Sequence, residues 1–407
     1  MRIKIKYLFT LLVAVSLLSC ADPKKEERAD NLDQKVEAAF KLAAVQYTYL
    51  GSRTPAGRYP KTYHDETDSL ETSDSGWWCS GFYPGTLLYL DEARQSPDLK
   101  KQAYAALKGL EKEQFNESTH DLGFMMFCSF GNANRLEPRP AYDTILLNSA
   151  KSLAKRYNAK AKSIKSWDSA PWNKAGADEI PVIIDNMMNL ELLFWASRFS
   201  GDKRFYNIAL NHANTTMKNH FRNDFSSFHE VIYNKNTGAV VKQITNQGAA
   251  DSSAWARGQA WGLYGFVVMY RETKDEKYLH QAENIADFIL NHPNLPEDKI
   301  PFWDFNAPNI PNALHDSSAA AIIASALFEL STHASGAKAA GYRKDAEFML
   351  DNLLTPHYLA SPKTNGGFLL MHGVGNMPNQ TEVDMPLSYG DYYLVEAMLR
   401  YKKMQGK

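Results

Sequence analysis

Four aspartates stand at the entrances of apolar runs: Asp121 in "STHDLGF", Asp185 in "PVIIDNMMNLELLFWAS", Asp251 in "AADSSAW" and Asp316 in "HDSSA". Asp is among the best helix N-caps, and the small Ser-Ser pairs that follow Asp251 and Asp316 fit that role. Asp121 and Asp185 are flanked differently. Asp185 lies between "PVII" and "NMM", where little water reaches a carboxyl, and both burial and a second carboxylate nearby raise a carboxyl pKa. An acid still protonated near neutral pH can act as a general acid and, once its proton is given up, as a base. For Asp185, capping and catalysis both remain open on these grounds.

The aromatics point to a ligand class. Trp77, Trp78, Trp167, Trp172, Trp255, Trp261 and Trp303 lie in or beside the segments that precede apolar runs, whereas Trp195 lies inside one and reads as core. Indole faces suit stacking on sugar rings, and a core role would demand a partner for each N–H. Arg257, with His229 on a neighbouring segment, adds donors; a planar guanidinium matches a carboxylate or sulfate on a sugar. A surface salt bridge for Arg257 and a turn contact for His229 are equally open. Other machinery is missing: there is no GxSxG elbow, HExxH helix or P-loop, and "GVGN" at 373–376 neither completes a dinucleotide fingerprint nor follows a βαβ unit. Cys79 and Cys128 form no CxxC pair and stand near no histidine cluster, so neither a structural metal nor a catalytic thiol is expected, and no cofactor.

Two kinds of helical segment must position these residues. Amphipathic segments with a solvated face are "LDQKVEAAFKLAAVQYTYL", "PDLKKQAYAALKGLEKEQ", "AYDTILLNSAKSLAKRY", "KRFYNIALNHANTTMKNHF", "EKYLHQAENIADFILNH" and "GYRKDAEFMLDNLL". Segments apolar nearly all round are "SGFYPGTLLYL", "LGFMMFCSFGN", "DNMMNLELLFWAS", "SSAWARGQAWGLYGFVVMY", "DSSAAAIIASALFEL" and "GDYYLVEAMLRY". The two kinds alternate strictly. Six outer helices around six inner ones predict an all-α chain, a single (α/α)6 barrel over residues 31–407. A β-hairpin insertion is expected at "SSFHEVIYNKNTGAVVKQITNQG", where "NKNTG" supplies the turn. The aspartates and tryptophans above then gather at one mouth of the barrel, where a ligand pocket is expected.

With 44% hydrophobic and 22% charged residues, the chain can bury a large core, and a net charge of -1 gives no electrostatic case for a nucleic-acid partner. At the N-terminus, Arg2, Lys4 and Lys6 precede the apolar "LFTLLVAVSLLS" and Cys20, a pattern read as a signal peptide over residues 1–19. "LLSC" resembles a bacterial lipobox, which implies cleavage before Cys20, lipidation of its thiol and anchoring to a cell-envelope membrane by acyl chains alone. An ordinary secretory signal followed by a chance cysteine is the alternative. Residues 20–30, charged and containing Pro23, are expected to be a flexible tether.

The segments "STHDLGFMM", "VIIDNMMNLELLFWAS", "NQGAADSSAWARGQAWGLYGF" and "HDSSAAAIIASALFEL", in this order through the mature chain, resemble the unsaturated glucuronyl hydrolases, glycoside hydrolase family 88. "HDLGF" and "WARGQAWG" favour this group over the related family 105 unsaturated rhamnogalacturonyl hydrolases, which share the barrel. The resemblance implies a substrate whose non-reducing end carries the 4,5-unsaturated uronic acid left by a polysaccharide lyase. It also implies a reaction by hydration of the vinyl ether. By motif, Asp185 is similar to the family's acid and base, and Asp121 to its second carboxylate. His229, Gln247, Trp255, Arg257 and Trp261 match sugar contacts, and Trp78 and Trp167 match stacking platforms. "NQG" at 246–248 departs from the usual "HQG", so contacts made there by a histidine are not carried over to Asn246. "GGFLLMHGVGNMPNQTEVD" falls where the next sugar is expected. A family 105 activity, or a lipoprotein that binds acidic glycans without turning them over, are the alternatives.

Overall fold

The structure, a computed structural model, describes residues 23–406 except 169 and 171, with side chains from residue 31 on; the segment 1–19 expected to be a signal peptide, and Cys20, lie outside the described residues. Helix α1 (Pro23–Arg53) is followed by strands β1 (Tyr59–His64) and β2 (Ser69–Ser73) and helices α2 (Phe82–Arg94) and α3 (Pro97–Leu110). A π-helical run, Gly123–Gly131, continues into α4 (Asn132–Leu136), and α5 spans Pro140–Ala154. After β3 (Tyr157–Asn158), β4 (Ser163–Ile164) and β5 (Glu179–Ile183), a 3-10 turn, Ile184–Asn189, leads into α6 (Leu190–Ser200). Then come α7 (Lys203–Asn219), β6 (Glu230–Asn234), β7 (Val240–Ile244), α8 (Ala256–Thr273), α9 (Glu276–Asn291), α10 (Ser317–His333) and α11 (Gly336–Leu353). Strands β8 (Gly373–Asn376) and β9 (Thr381–Met385) precede the final helix, α12 (Ser388–Met404).

The expected alternation is present. On α7 only Phe205, Ala209, His212, Ala213 and Thr216 are buried, a stripe at helical spacing, while α8 is buried without a break from Ala256 to Met269. Each inner segment packs on the next, from α2 through the π-helical run, the 3-10 turn with α6, α8 and α10 to α12, and α12 returns to α2 to close the ring. The expected hairpin is β6 and β7, joined by β5 into a three-stranded antiparallel sheet.

Three expectations are corrected. The tether segment is helical from Pro23, because a proline that starts a helix is followed by Lys, Glu, Arg and Ala, all good helix formers. Asp251 caps no helix: α8 starts at Ala256 with Trp255 before it, and Asp251 instead accepts a bond from the Thr245 N–H. Trp195 is no core residue but half-buried, stacked on the exposed ring of Phe199 at 4.9 Å. Asp316 does cap α10, accepting from the Ser318 N–H at 3.1 Å.

Candidate active site

Strand β5 delivers Asp185. Its backbone pairs Ile183 with Glu230 of β6, and the Ile184 N–H donates to the His229 carbonyl at 2.9 Å, so His229 and Asp185 are fixed to the same sheet edge. Asp185 sits inside the first turn of the 3-10 segment, makes no capping bond, and is buried. Its Oδ2 has no hydrogen-bond partner, with His229 Nε2 at 3.8 Å. Burial pushes its carboxyl up to about 7; the Asp121 charge adds to the rise, while Arg257 and the Trp261 N–H oppose it. The Trp261 Nε1 likewise has no partner within bonding geometry.

Asp121 enters from the neighbouring inner element, just before the π-helical run, a backbone form found mostly at functional sites. Burial raises its carboxyl to about 7, against the Thr119 hydroxyl, the Asn189 amide and Arg156. The Asp121 charge is one of the causes that raise the Asp185 carboxyl.

Two buried histidines flank them. His229 Nδ1 accepts from the Asn246 N–H at 3.0 Å, which leaves the ring proton of the neutral imidazole on Nε2, facing Asp185. His120 is the reverse: its Nδ1 donates to the Ser166 carbonyl at 2.8 Å, so the bare Nε2 lies 3.2 Å from Asp121 Oδ1, off the line of a hydrogen bond. Burial lowers both imidazoles to about 3, so both are neutral near neutral pH.

Arg257 is neither a surface ion pair nor a free anion donor. Its buried guanidinium pairs with Asp316 at 3.1 Å, donates to the Val374 and Gly375 carbonyls of β8, and lies between Trp255 at 4.4 Å and Tyr389 at 5.3 Å. Gln247 donates to the same Gly375 carbonyl at 3.0 Å. The "GVGN" segment is thus a hairpin strand tied down beside the site.

The tryptophans divide by burial. Trp255, Trp261 and Trp303 are buried; Trp255 packs edge-on to His229 at 4.8 Å, and Trp261 touches Phe124 and Tyr393. Trp78 is half-buried against Phe82, Phe124 and Tyr389, and Trp167 half-buried against Trp172 and His229. Trp77 and Trp172 are exposed. Asp185, His229, Gln247, Arg257, Trp78, Trp167, Trp172, Trp255 and Trp261 are thus linked into one connected site by these contacts. Sequence reasoning passed over His120, Asn189, Glu230 and Tyr389; His120 adjoins Asp121 and Asn189 lies one helical turn after Asp185, which were the available signals. A cavity of about 460 Å³ lined by Tyr89, Phe127, Asn132, Trp195 and Glu396 contains neither aspartate and neither flanking histidine; it lies toward the other mouth of the barrel.

No family model matches the chain. It is 43% identical over 350 residues, 86% of each chain, to an unsaturated glucuronyl hydrolase of Formosa agariphila. It is 32% identical over 379 residues, 92% of each chain, to an unsaturated chondroitin disaccharide hydrolase of Streptococcus pneumoniae. The crystal structure of an unsaturated glucuronyl hydrolase specific for heparin superposes with a TM-score of 0.88 at 42% identity, covering 92% of this chain and 99% of that one. With this likeness running through the whole barrel and a site built on two coupled buried aspartates, the chain belongs to the unsaturated glucuronyl hydrolases, glycosidases of glycoside hydrolase family 88.

Proposed function

We propose that this protein removes the 4,5-unsaturated uronic acid from the non-reducing end of lyase-generated oligosaccharides, with Asp185 as the acid and then the base. The observation that carries the assignment is the state of Asp185: buried, coupled to Asp121, its Oδ2 unpartnered, its carboxyl near 7. Such a group holds a proton for transfer near neutral pH. Asp185 protonates C4 of the vinyl ether, and positive charge develops at C5, shared with the ring oxygen. The carboxylate left behind then takes a proton from a water that adds at C5. The resulting hemiketal opens and releases the partner sugar.

In this reading Asp121 is the second carboxyl group, which holds ring hydroxyls and tunes Asp185. His229 keeps its Nε2–H toward Asp185. Trp78 and Trp167, each with a partly open face, stack on the sugars, while Trp255 and Trp261 form the inner walls. Gln247 and Arg257 anchor the β8 hairpin that borders the next sugar, and Arg257 also supports the Trp255 ring. The parent polysaccharide we infer to be of the heparin type, supported by the higher identity to the heparin-specific enzyme (42%) than to the chondroitin disaccharide hydrolase (32%). We infer further that the chain is a lipoprotein anchored at Cys20.

The experiment is the loss of the vinyl ether's ultraviolet absorbance on a panel of unsaturated disaccharides from heparin, chondroitin and rhamnogalacturonan lyases. Asp185→Asn is expected to abolish the loss while retaining disaccharide binding. Full activity in that variant would sink the assignment, and a preference for the chondroitin disaccharides would reverse the substrate inference.

A further inference from the structure

Arg156, between α5 and β3, is 8% exposed and directs every N–H of its guanidinium at the two loops that carry Asp121 and Trp167. Its Nε donates to the Lys165 carbonyl at 3.0 Å, and its Nη1 to the Glu117 carbonyl at 2.6 Å and to Asp168 Oδ2 at 2.9 Å. Its Nη2 donates to the Ser166 carbonyl at 3.0 Å and to Asp168 Oδ1 at 3.3 Å. The acceptors on residues 165, 166 and 168 stand on both sides of Trp167, whose half-buried indole meets Trp172 and His229. Glu117 opens the segment that ends in His120 and Asp121, and the Ser166 carbonyl held by Arg156 is the one that accepts the His120 Nδ1–H at 2.8 Å. Ser166 extends the link to the other acid. Its hydroxyl accepts the Ile183 N–H at 2.9 Å and donates to the Asn186 side chain at 2.9 Å, on either side of Asp185.

We propose that Arg156 is a positioning residue that holds the Trp167 platform and the His120–Asp121 segment in register with each other. This rests on the reading of Trp167 as a stacking platform and of Asp121 as the second carboxyl. Backbone pairing does not supply the same function: the Ser166 N–H donates to the Pro181 carbonyl at 2.9 Å, one residue short of Trp167. Lys165 and Asn173 also bond to Asp168, at 2.8 and 2.9 Å, but both belong to the Trp167 loop and cannot fix it to the rest of the barrel. Arg156 can, because its backbone is secured at the end of α5 and a planar guanidinium aims five donors in fixed directions. Without that fork the indole and the Asp121 segment move independently, and misplacements of this kind are costly to catalysis.

Kinetics on an unsaturated disaccharide separate the two arms. Arg156→Ala is expected to raise KM roughly tenfold as the platform shifts, and to lower kcat roughly tenfold as His120 and Asp121 lose their register. In a double-mutant cycle with Trp167→Ala, the KM effect of Arg156→Ala disappears while its kcat effect remains, a pattern that general loosening of the barrel does not produce. Arg156→Lys keeps a charge for Asp168 but not the fork, and is expected to show the same split in weaker form. Thermal melts accompany every variant; if Arg156→Ala does not unfold cooperatively, Arg156→Lys carries the cycle. An unchanged KM in the Arg156 variant, or KM effects of the two substitutions that simply multiply, overturns the proposal. Trp167→Ala by itself tests the reading beneath it: a native KM there removes the platform assignment and the proposal with it, whereas a raised KM with multiplying effects rejects the role of Arg156 alone.

Discussion

Two buried imidazoles of the same sequence type hold opposite tautomers because their backbone partners differ. His229 accepts from an amide and must carry its proton on Nε2, while His120 donates to a carbonyl and must not. The donor faces Asp185 and the acceptor faces Asp121, so the two acids are given unlike surroundings although burial raises both to about 7. Holding Asp185 near 7 has a thermodynamic consequence. A carboxyl whose folded pKa lies above its unfolded value of 3.8 adds stability fully present below that value and lost as pH rises through about 7. Asp185→Asn removes the group, so its stability relative to the native chain is expected to grow between pH 5 and pH 8, by about 2.5 kcal/mol. Urea unfolding of both proteins at the two pH values measures this, and a difference that does not change with pH would contradict the burial argument.

At the scale of elements, the inner ring is close-packed because small residues let its backbones meet. On α2, a Cβ at Gly85 would fall 2.4 Å from the Cys128 carbonyl oxygen of the π-helical run and 2.7 Å from the Tyr392 ring of α12. Backbone cannot yield as a side chain tip can. Gly85→Ala is therefore expected to destabilise the barrel by about 1–3 kcal/mol, even though alanine has the better helix propensity. Chemical denaturation reads this directly, and a stabilised variant would mean that α2 can shift outward. The same closeness recurs where a Cβ at Gly123 would fall 2.4 Å from the Asn189 Cα, and there it joins the two acid-bearing elements instead of only filling space.

For the whole molecule, the toroid directs six outer-to-inner connections to one mouth. Asp121 comes from the second inner element and Asp185 from the third, with the β5–β6–β7 sheet, the Trp167 loop and the β8–β9 hairpin arranged around them. At the other end of the chain lies the lipobox-like segment. Replacing Cys20 by Ala is expected to move the expressed protein from the membrane fraction to the soluble fraction, with the catalytic rate unchanged. Equal membrane partition of the two forms would exclude acylation at that residue.

The periodicity of apolar and charged residues was by itself enough to determine six outer and six inner helices and their order, because a segment that must be buried on both sides cannot carry a solvated stripe. Local motifs were likewise enough to single out Asp121, Asp185, His229 and the tryptophans. Where each side chain points was decided only by tertiary structure. Arg257 looked available for a ligand, yet the fold turns it onto Asp316 and β8, and Asp251 looked like a cap for a helix that begins five residues later. The short strands other than β6 and β7 were not legible, since two to six residues with little alternation carry too weak a signal. Arg156 and His120 escaped for a related reason: their roles depend on residues from another element, and sequence spacing encodes only the neighbours along one chain segment.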